Sequence, residues 1–197
     1  MADLVVSLAY GIQGHQSGKM LRQYKDDPSG DAMAQHRAVM QRMLFLGLIH
    51  HEACVGKGVG LPVNLRVCVP SLSGRVGPHP FEVICDNMNA TGDNVRLRVA
   101  PGASAAREVR GDLFEVFPEG AARGQHMLVL DDTWTTGSRA QSAAIALRRG
   151  GAKAVTVMTI GRWITPGFAE HIRTFVNSKL TTDYEPLRCP VTGGDCP

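Results

Sequence analysis

The chain has 197 residues, of which 44% are hydrophobic and 20% are charged, and its formal net charge at pH 7 is +3. These values are typical of a globular domain with a sizeable core, so they exclude a wholly disordered chain. No block of Lys or Arg favours nucleic-acid binding on electrostatic grounds. The five cysteines, an odd number, fit reduced thiols better than a disulfide framework.

The N-terminal apolar run is short, and no basic region precedes it. It is too brief for a transmembrane span and lacks the pattern of a secretory signal. No other window approaches membrane length. We therefore expect a cytoplasmic protein that has neither a membrane nor a nucleic acid as its partner.

The first half of the chain alternates predicted strands and helices. Residues 4–10 are a candidate strand, residues 17–25 a short helix, and Asp31 is the predicted N-cap of a longer helix. Residues 64–69 are the next predicted strand, and residues 79–88 a helix. The longer helix carries a stripe of apolar residues at near-helical spacing, which predicts a core-facing side: Met33, Met40, Met43, Leu44 and Leu48.

The second half continues this alternation. Residues 95–99 alternate as a strand does, and residues 107–114 predict a turn and a short strand. Residues 153–160 are β-branched and apolar, which predicts a buried strand, and residues 166–176 have a helical pattern. From residue 181 the chain is polar and irregular. Together these elements predict an α/β fold with a mainly parallel sheet of about five strands flanked by helices, whose ligand crevice lies at the strand carboxyl ends.

The most informative segment runs from His126 to Gly151. Its apolar residues 127–130 predict a strand that is buried on both faces. Asp131 and Asp132 close this strand, and an Ala-rich helix follows after a loop of hydroxyl and glycine residues: Thr133, Thr135, Thr136, Gly137 and Ser138.

The order of strand, acid pair, loop and helix has a chemical interpretation. Backbone amides and hydroxyls before a helix N-terminus favour an anion such as phosphate. Two carboxylates beside a phosphate would repel it, unless they hold ribose hydroxyls or a hydrated Mg²⁺. A sugar that carries a 5′-phosphate, with a metal nearby, satisfies the whole segment. An ordinary strand-to-helix turn with capping residues is the alternative.

Residues 128–138, LVLDDTWTTGS, resemble the phosphoribosyl diphosphate (PRPP) motif of type I phosphoribosyltransferases. The resemblance implies that Asp131 and Asp132 are the catalytic acids, bind the ribose hydroxyls and hold Mg²⁺ through its water shell. It also implies that Thr133, Thr135, Thr136, Gly137 and Ser138 surround the 5′-phosphate. Trp134 stands where that family often has a small aliphatic residue.

Three further segments resemble the ComF-like branch of this family. They are LRQYKD at residues 21–26 with Tyr10 before it, VCVP at residues 67–70, and REVRGDLF at residues 107–114. The N-terminal zinc-binding cysteines of that branch are absent. The resemblance implies a single domain with a hood-like N-terminal segment (1–60), a core (61–165) and a C-terminal helix with an irregular tail (166–197).

The loop after the strand at 64–69 is rich in small and hydroxylated residues. Such residues let the backbone approach an anion closely, and an arginine can supply a bidentate charge. If this strand neighbours the strand that ends in the acid pair, both loops open at the same crevice. We therefore expect Ser71, Ser73 and Arg75 to bind the diphosphate. A surface loop of turn-forming residues is the alternative.

The function that the resemblance implies is transfer of a 5-phosphoribosyl group from PRPP to a nitrogen nucleophile such as a nucleobase, with release of diphosphate. Its partners would be PRPP, Mg²⁺ and a small heterocyclic acceptor, and a homodimer is left open. No residue identifies itself as a general base. The alternative is a non-catalytic PRPP- or nucleotide-binding regulator, or a DNA-uptake accessory protein of ComF type.

Histidines and cysteines occur in two groups far apart in the chain. His50, His51 and Cys54 form one group, and Cys189 and Cys196 bracket a glycine-containing turn. Two ligands from each group would make a tetrahedral zinc site. Neither spacing is a common zinc-ribbon or zinc-finger pair, so scattered reduced thiols are the preferred interpretation.

Overall fold

The structure, a computed structural model, describes residues 1–72, 77–92, 94–103 and 108–197. The described residues contain six strands and five α-helices. The strands are β1 (Leu4–Ile12), β2 (Leu65–Cys68), β3 (Arg96–Val99), β4 (Phe114–Phe117), β5 (His126–Trp134) and β6 (Ala154–Ile164). The helices are α1 (Gln16–Asp26), α2 (Gly30–Val59), α3 (Pro80–Asn87), α4 (Ser138–Arg149) and α5 (Glu170–Lys179).

Four strands form a parallel sheet in the order β1–β6–β5–β2, and helices flank it. The α/β class and the parallel sheet are confirmed, but among the described residues this sheet has four strands rather than about five. β3 and β4 pair with each other as a separate antiparallel ribbon. β3 exposes Arg96 and Arg98 on one face, and a strand with one polar face does not fit a parallel sheet that is covered on both sides.

The two central strands are buried on both faces because their apolar side chains point alternately to two different cores. In β5, Met127 and Val129 contact one core, and Leu128 and Leu130 contact the other. All four of these side chains have no exposed surface. β5 therefore holds its carboxyl end in a fixed position at the middle of the sheet.

Helices cover the two faces of the sheet. The first core lies under α4 and the β3–β4 ribbon, where Ala143, Ala144 and Leu147 pack on the sheet. The second lies under α1, α2 and α3, which contribute Leu21, Leu44 and Phe81 to it. The alanines of α4 let its backbone approach the sheet closely, which brings the N-terminus of α4 near the end of β5.

The N-cap of the long helix α2 lies two residues earlier than expected. Ser29 is its N-cap and accepts a hydrogen bond from the Ala32 amide at 3.3 Å, whereas Asp31 lies in the first turn. Both residues suit a helix N-terminus, so the sequence alone did not separate them. Of the predicted apolar stripe, Met40, Met43 and Leu44 are buried, and the rest is half-buried.

Helix α1 lies unusually close to the carboxyl ends of β1 and β6. A Cβ atom on Gly18 would stand 2.2 Å from the Ile12 carbonyl oxygen, and one on Gly161 would stand 2.4 Å from a methyl group of Leu21. Glycine at these positions therefore lets α1 rest directly on the sheet. This close packing brings the C-terminal half of α1 over the end of β5.

The C-terminal part of the chain has little regular structure. A short 3₁₀ turn (Pro166–Phe168) precedes α5, and from residue 180 onward the chain has neither helix nor strand. In place of the helix predicted over residues 166–176, α5 begins at Glu170 and ends at Lys179. Within the described ranges, no helix is both long and apolar enough to cross a membrane.

Candidate functional site

A crevice of about 840 Å³ opens where β5 and β6 end and α4 begins. Its floor and one wall consist of Asp131, Asp132, Thr133, Thr135, Thr136, Gly137, Ser138, Arg139 and Ala140. The opposite wall comes from α1 and the end of β6, with Leu21, Arg22, Gln23, Lys25, Asp26 and Trp163. The structure thus brings together in one crevice all seven residues that the central motif predicted for PRPP.

Asp132 is the most heavily engaged side chain of this crevice. It is 6% exposed. Its Oδ2 atom accepts a hydrogen bond from the hydroxyl of Tyr24 and forms an ion pair with Nζ of Lys25. Tyr24 itself is completely buried, so α1 holds a phenol and an ammonium group against the end of β5.

The two neighbouring carboxyl groups have opposite protonation tendencies. Burial acts to raise the pKa of Asp132, but the charge of Lys25 and the hydrogen bonds from Lys25 and Tyr24 outweigh it and lower that pKa. Burial and the adjacent Asp132 charge raise the pKa of Asp131 to about 8. In the ligand-free protein, one acid of the pair is therefore ionised and the other is protonated near neutral pH.

The donor set suits a hard cation or a sugar. Carboxylate oxygens and hydroxyls line the floor of the crevice, and oxygen ligands are those that Mg²⁺ prefers, usually with several waters retained. A cation near Asp131 would favour the ionised carboxylate. The residues present therefore fit Mg²⁺ held by Asp131 and Asp132 through water.

The turn between β5 and α4 has the form expected for an anion site. Gly137 is the N-cap of α4 with φ of 75°, and it has no side chain to cap the first turn. The positive end of the helix dipole and the first amides of α4 consequently point toward the crevice. Arg139, which is exposed, adds a positive charge at the same place.

Hydroxyl groups surround this turn. Oγ of Ser138 and Oγ1 of Thr136 lie 3.2 Å apart, and Oγ1 of Thr136 also accepts from the Ser138 amide at 3.5 Å. The Thr133 hydroxyl is buried and has no hydrogen-bond partner among the described residues. Leaving such a group unsatisfied costs about 1–3 kcal/mol, which favours a ligand as its missing partner.

Trp134 explains the tightness of the turn. A Cβ atom on Gly137 would stand 2.1 Å from the Trp134 indole. Trp134 also packs against the core beneath α4. The residue that departs from the family pattern is therefore part of the support of the turn, and it demands glycine at position 137.

The sequence did not predict a role for α1 in the site. Tyr24 and Lys25 belong to the LRQYKD segment, whose resemblance to the ComF-like branch was the available signal. Arg22 lies over the ring of Trp163, with its guanidinium carbon 4.2 Å from the ring centroid. A cation stacked on an aromatic ring at a crevice wall offers a flat surface for a heterocycle.

The predicted diphosphate loop is only partly described. β2 neighbours β5 in the sheet, so Ser71 follows β2 at the same edge of the sheet as the acid pair. The Ser71 amide donates to the Glu82 carboxylate at 3.1 Å. Ser73 and Arg75 lie outside the described residues.

Comparison with protein-family models gives no match, and comparison with curated protein sequences gives none either. The functional interpretation therefore depends on the motif and on the geometry of the crevice.

Proposed function

We propose that this protein is a PRPP-dependent phosphoribosyltransferase of type I, similar to the ComF-like branch. One observation carries the proposal. Two adjacent acids lie near the carboxyl end of β5, a central strand of a parallel sheet, shortly before a hydroxyl-and-glycine turn at a helix N-terminus, and all of them line one crevice. This arrangement supplies a phosphate site next to a site for sugar hydroxyls.

In this proposal the 5′-phosphate binds at the turn of residues 133–137 and at the first amides of α4. The ribose hydroxyls then lie on Asp131 and Asp132. The volume of about 840 Å³ is within the usual range for small-molecule sites, about 300–1,000 Å³. The acceptor would occupy the wall formed by Arg22 and Trp163, because its cation and indole suit a planar heterocycle.

The reaction would break the bond between the anomeric carbon and the diphosphate oxygen and form a bond from that carbon to the acceptor nitrogen. The nitrogen loses its proton to solvent, and diphosphate leaves with the bonding electron pair. The carboxylates of Asp131 and Asp132 stabilise positive charge that develops on the ribosyl group, and the crevice orients the two reactants. Mg²⁺ near these acids would neutralise charge on the diphosphate.

Lys25 has a particular place in this proposal. Its ammonium group neutralises Asp132 in the ligand-free protein, so the acid pair does not repel an incoming anionic sugar phosphate. Because Asp131 keeps a proton near neutral pH, the crevice carries little net negative charge before the cation arrives.

The decisive experiment is a diphosphate-release assay with PRPP, Mg²⁺ and a panel of purine and pyrimidine bases. We expect release with at least one base, and a fall of at least about a thousandfold, or 4 kcal/mol of barrier, when Asp131→Asn is combined with Asp132→Asn. Asp183→Asn, in the exposed tail, is the matched control for loss of a carboxylate. Full activity of the double variant would contradict the proposal.

A second function is favoured by the engagement of Asp132. A PRPP- or nucleotide-binding regulator needs the ribose-phosphate site but no turnover, and a carboxylate already paired with Lys25 and Tyr24 suits stable binding. Calorimetry with PRPP and Mg²⁺ separates the two functions. Tight binding without diphosphate release from any base would support the regulator, whereas release would support the transferase.

A further inference from the structure

Four potential metal ligands that do not line the PRPP crevice lie close together. They are His51 and Cys54, one turn apart on α2, and Cys189 and Cys196 from the C-terminal tail. One ligand atom of each lies within 4.8 Å of all the others. The sequence favoured scattered thiols, but the fold gathers three of the five cysteines with one histidine, and His50 is not among them.

The hydrogen bonding of His51 leaves one nitrogen free for a metal. Nε2 lies 2.8 Å from the carbonyl oxygen of Pro186. Since a carbonyl only accepts, Nε2 must carry the ring proton, and Nδ1 therefore presents a lone pair. Nδ1 faces the Cys196 sulfur at 3.5 Å. A ligating histidine typically donates its other N–H to a carbonyl or carboxylate in this way.

The turn that carries the two tail cysteines is held by its own hydrogen bonds. The Cys189 amide donates to the Gly194 carbonyl and the Gly193 amide to the Cys189 carbonyl, both at 2.8 Å. Gly193 has a φ of 78°, which favours glycine. These hydrogen bonds hold Cys189 in a fixed turn, which orients its sulfur for binding a metal.

The burial pattern shows why the tail needs an anchor. Between residues 180 and 197, Cys189 is the one buried residue, so apolar packing holds this segment only weakly. Its contacts with α2 include this cluster, where the sulfurs of Cys54, Cys189 and Cys196 lie within 4.8 Å of one another, and a hydrogen bond from Nζ of Lys57 to the Pro197 carbonyl. A disulfide would join only two of these four groups and leave a thiol and an imidazole beside it.

We propose that His51, Cys54, Cys189 and Cys196 bind one structural zinc ion that fastens the C-terminal tail to α2. The ligand set is three thiolates and one imidazole, which is typical of closed tetrahedral zinc sites. A Zn–S bond of 2.3 Å requires tetrahedral sulfurs about 3.8 Å apart, so the four atoms need to move little. The three thiol protons pass to solvent when the metal binds.

The first test is the metal content of the full-length chain, purified under reducing conditions without chelator or metal-binding tag. We expect inductively coupled plasma mass spectrometry to find one zinc ion per chain. After removal of zinc, Co²⁺ alone should restore the visible absorption bands of a tetrahedral cobalt–thiolate site. Iron in place of zinc, or a chain that takes up neither Zn²⁺ nor Co²⁺, would overturn the proposal.

Variants locate the site. Cys196→Ser changes an exposed position and should leave the fold intact, and Cys54→Ser and His51→Ala are the buried counterparts. Each should weaken zinc binding by at least about a hundredfold in a competition with a chromophoric chelator. His50→Ala and Cys85→Ala are matched controls, since both residues lie outside the cluster, and they should retain one zinc per chain.

A structural role predicts a further measurement. Removal of zinc from the wild-type chain should make the tail accessible to protease between residues 180 and 197, while the PRPP crevice, built by other elements, stays intact. Equal zinc affinity of wild type and Cys196→Ser in the chelator competition would overturn the assignment even if Cys54→Ser failed to fold. Thiol labelling that reveals a stable disulfide among these cysteines would also overturn it. None of these results depends on phosphoribosyl transfer.

Discussion

Asp132 accepts contacts from two side chains of a single helix, and this pairing is the main electrostatic feature of the crevice. The Tyr24 hydroxyl and the Lys25 ammonium group both reach Oδ2 of Asp132. Burial and the Asp132 charge raise the pKa of Tyr24 well above its usual value, so the phenol remains a donor. These two contacts of Tyr24 and Lys25 thus depend on the position of α1 and help to keep Asp132 ionised.

The Tyr24→Phe variant measures how much the hydrogen bond from Tyr24 to Asp132 contributes to the stability of the fold. The ring keeps its packing, but Asp132 loses a hydrogen bond to a charged acceptor, a contact usually worth about 1.5–3 kcal/mol. We expect the free energy of unfolding, measured by urea denaturation near neutral pH, to fall by about this amount.

Tyr10→Phe is the matched control, because Tyr10 is 38% exposed and its ring contacts Phe175. That change should stay within about 0.5 kcal/mol. Equal stability of Tyr24→Phe and wild type would show that the buried contact contributes nothing.

The raised pKa of Asp131 makes the stability of the protein depend on pH when neither metal nor ligand is bound. Its pKa is about 8 in the folded chain and about 3.9 in an unfolded chain. Between these values the folded state binds the extra proton, so the contribution of Asp131 to stability is present at low pH and is lost as pH rises through about 8.

We therefore expect Asp131→Asn to gain stability relative to wild type as pH rises from about 5 to about 8, with no further gain above that range. Urea denaturation in buffer without Mg²⁺ measures the difference. Asp183→Asn reports the effect of removing a carboxylate elsewhere. A difference between wild type and Asp131→Asn that does not change with pH would contradict the raised pKa.

At the scale of elements, the proposed phosphate site depends on the β5–α4 turn. It combines a left-handed N-cap glycine, a helix that starts without a side-chain cap, and a tryptophan that covers the glycine. The turn is stable because Trp134 is also part of the core beneath α4. Its shape should consequently be sensitive to the smallest addition at position 137.

Gly137→Ala tests this sensitivity. An alanine would be strained at φ of 75°, and its Cβ would collide with the Trp134 ring. We expect PRPP affinity, measured by calorimetry, to fall at least about tenfold, or 1.4 kcal/mol. Adding Trp134→Val should recover part of the loss, since it removes the collision.

Gly120→Ala is the matched control for this experiment. Gly120 has a φ of 78°, but a Cβ there would have no atom within 4 Å, so it carries the same backbone strain without a collision. The Gly120→Ala variant should be less stable than wild type but should bind PRPP with the same affinity. If both variants bind PRPP as wild type does, the phosphate does not bind at this turn.

At the scale of the whole molecule, stability is unequal across the chain. β5 lies between β6 and β2, and most of its side chains are fully buried. By contrast, α5 buries Val176 alone among its ten residues and packs on a small separate cluster. A helix with so little burial opens locally, whereas β5 opens only when the domain unfolds.

Amide hydrogen exchange followed by mass spectrometry tests this difference. In urea below the unfolding transition, exchange of β5 should accelerate with denaturant, because its opening exposes a large surface. Exchange of α5 should be faster in water and nearly independent of urea. Since α4 buries eight of its twelve residues, it should behave like β5. Parallel behaviour of α5 and β5 would contradict the prediction.

Local patterns in the sequence determined most elements and the position of the acid pair. Residues 127–130 are apolar without interruption and therefore had to be a strand covered on both faces. Asp131 and Asp132 follow this apolar run directly, but β5 continues through them to Trp134 and does not end at the acids. The strand-to-helix turn with its glycine follows from the order of the residues. The sequence left open whether β2 neighbours β5, and the sheet order shows that it does.

Only the tertiary structure decided the contacts between distant parts of the chain. Tyr24 and Asp132 are 108 positions apart, and their contact depends on glycines in α1 and β6 that admit close packing. His51 and Cys196 are 145 positions apart, so no local spacing could show that they share a cluster. The separate β3–β4 ribbon likewise arises because one face of β3 stays exposed. Sequence periodicity reports which faces are buried, whereas the choice of partner depends on how all the buried faces pack together.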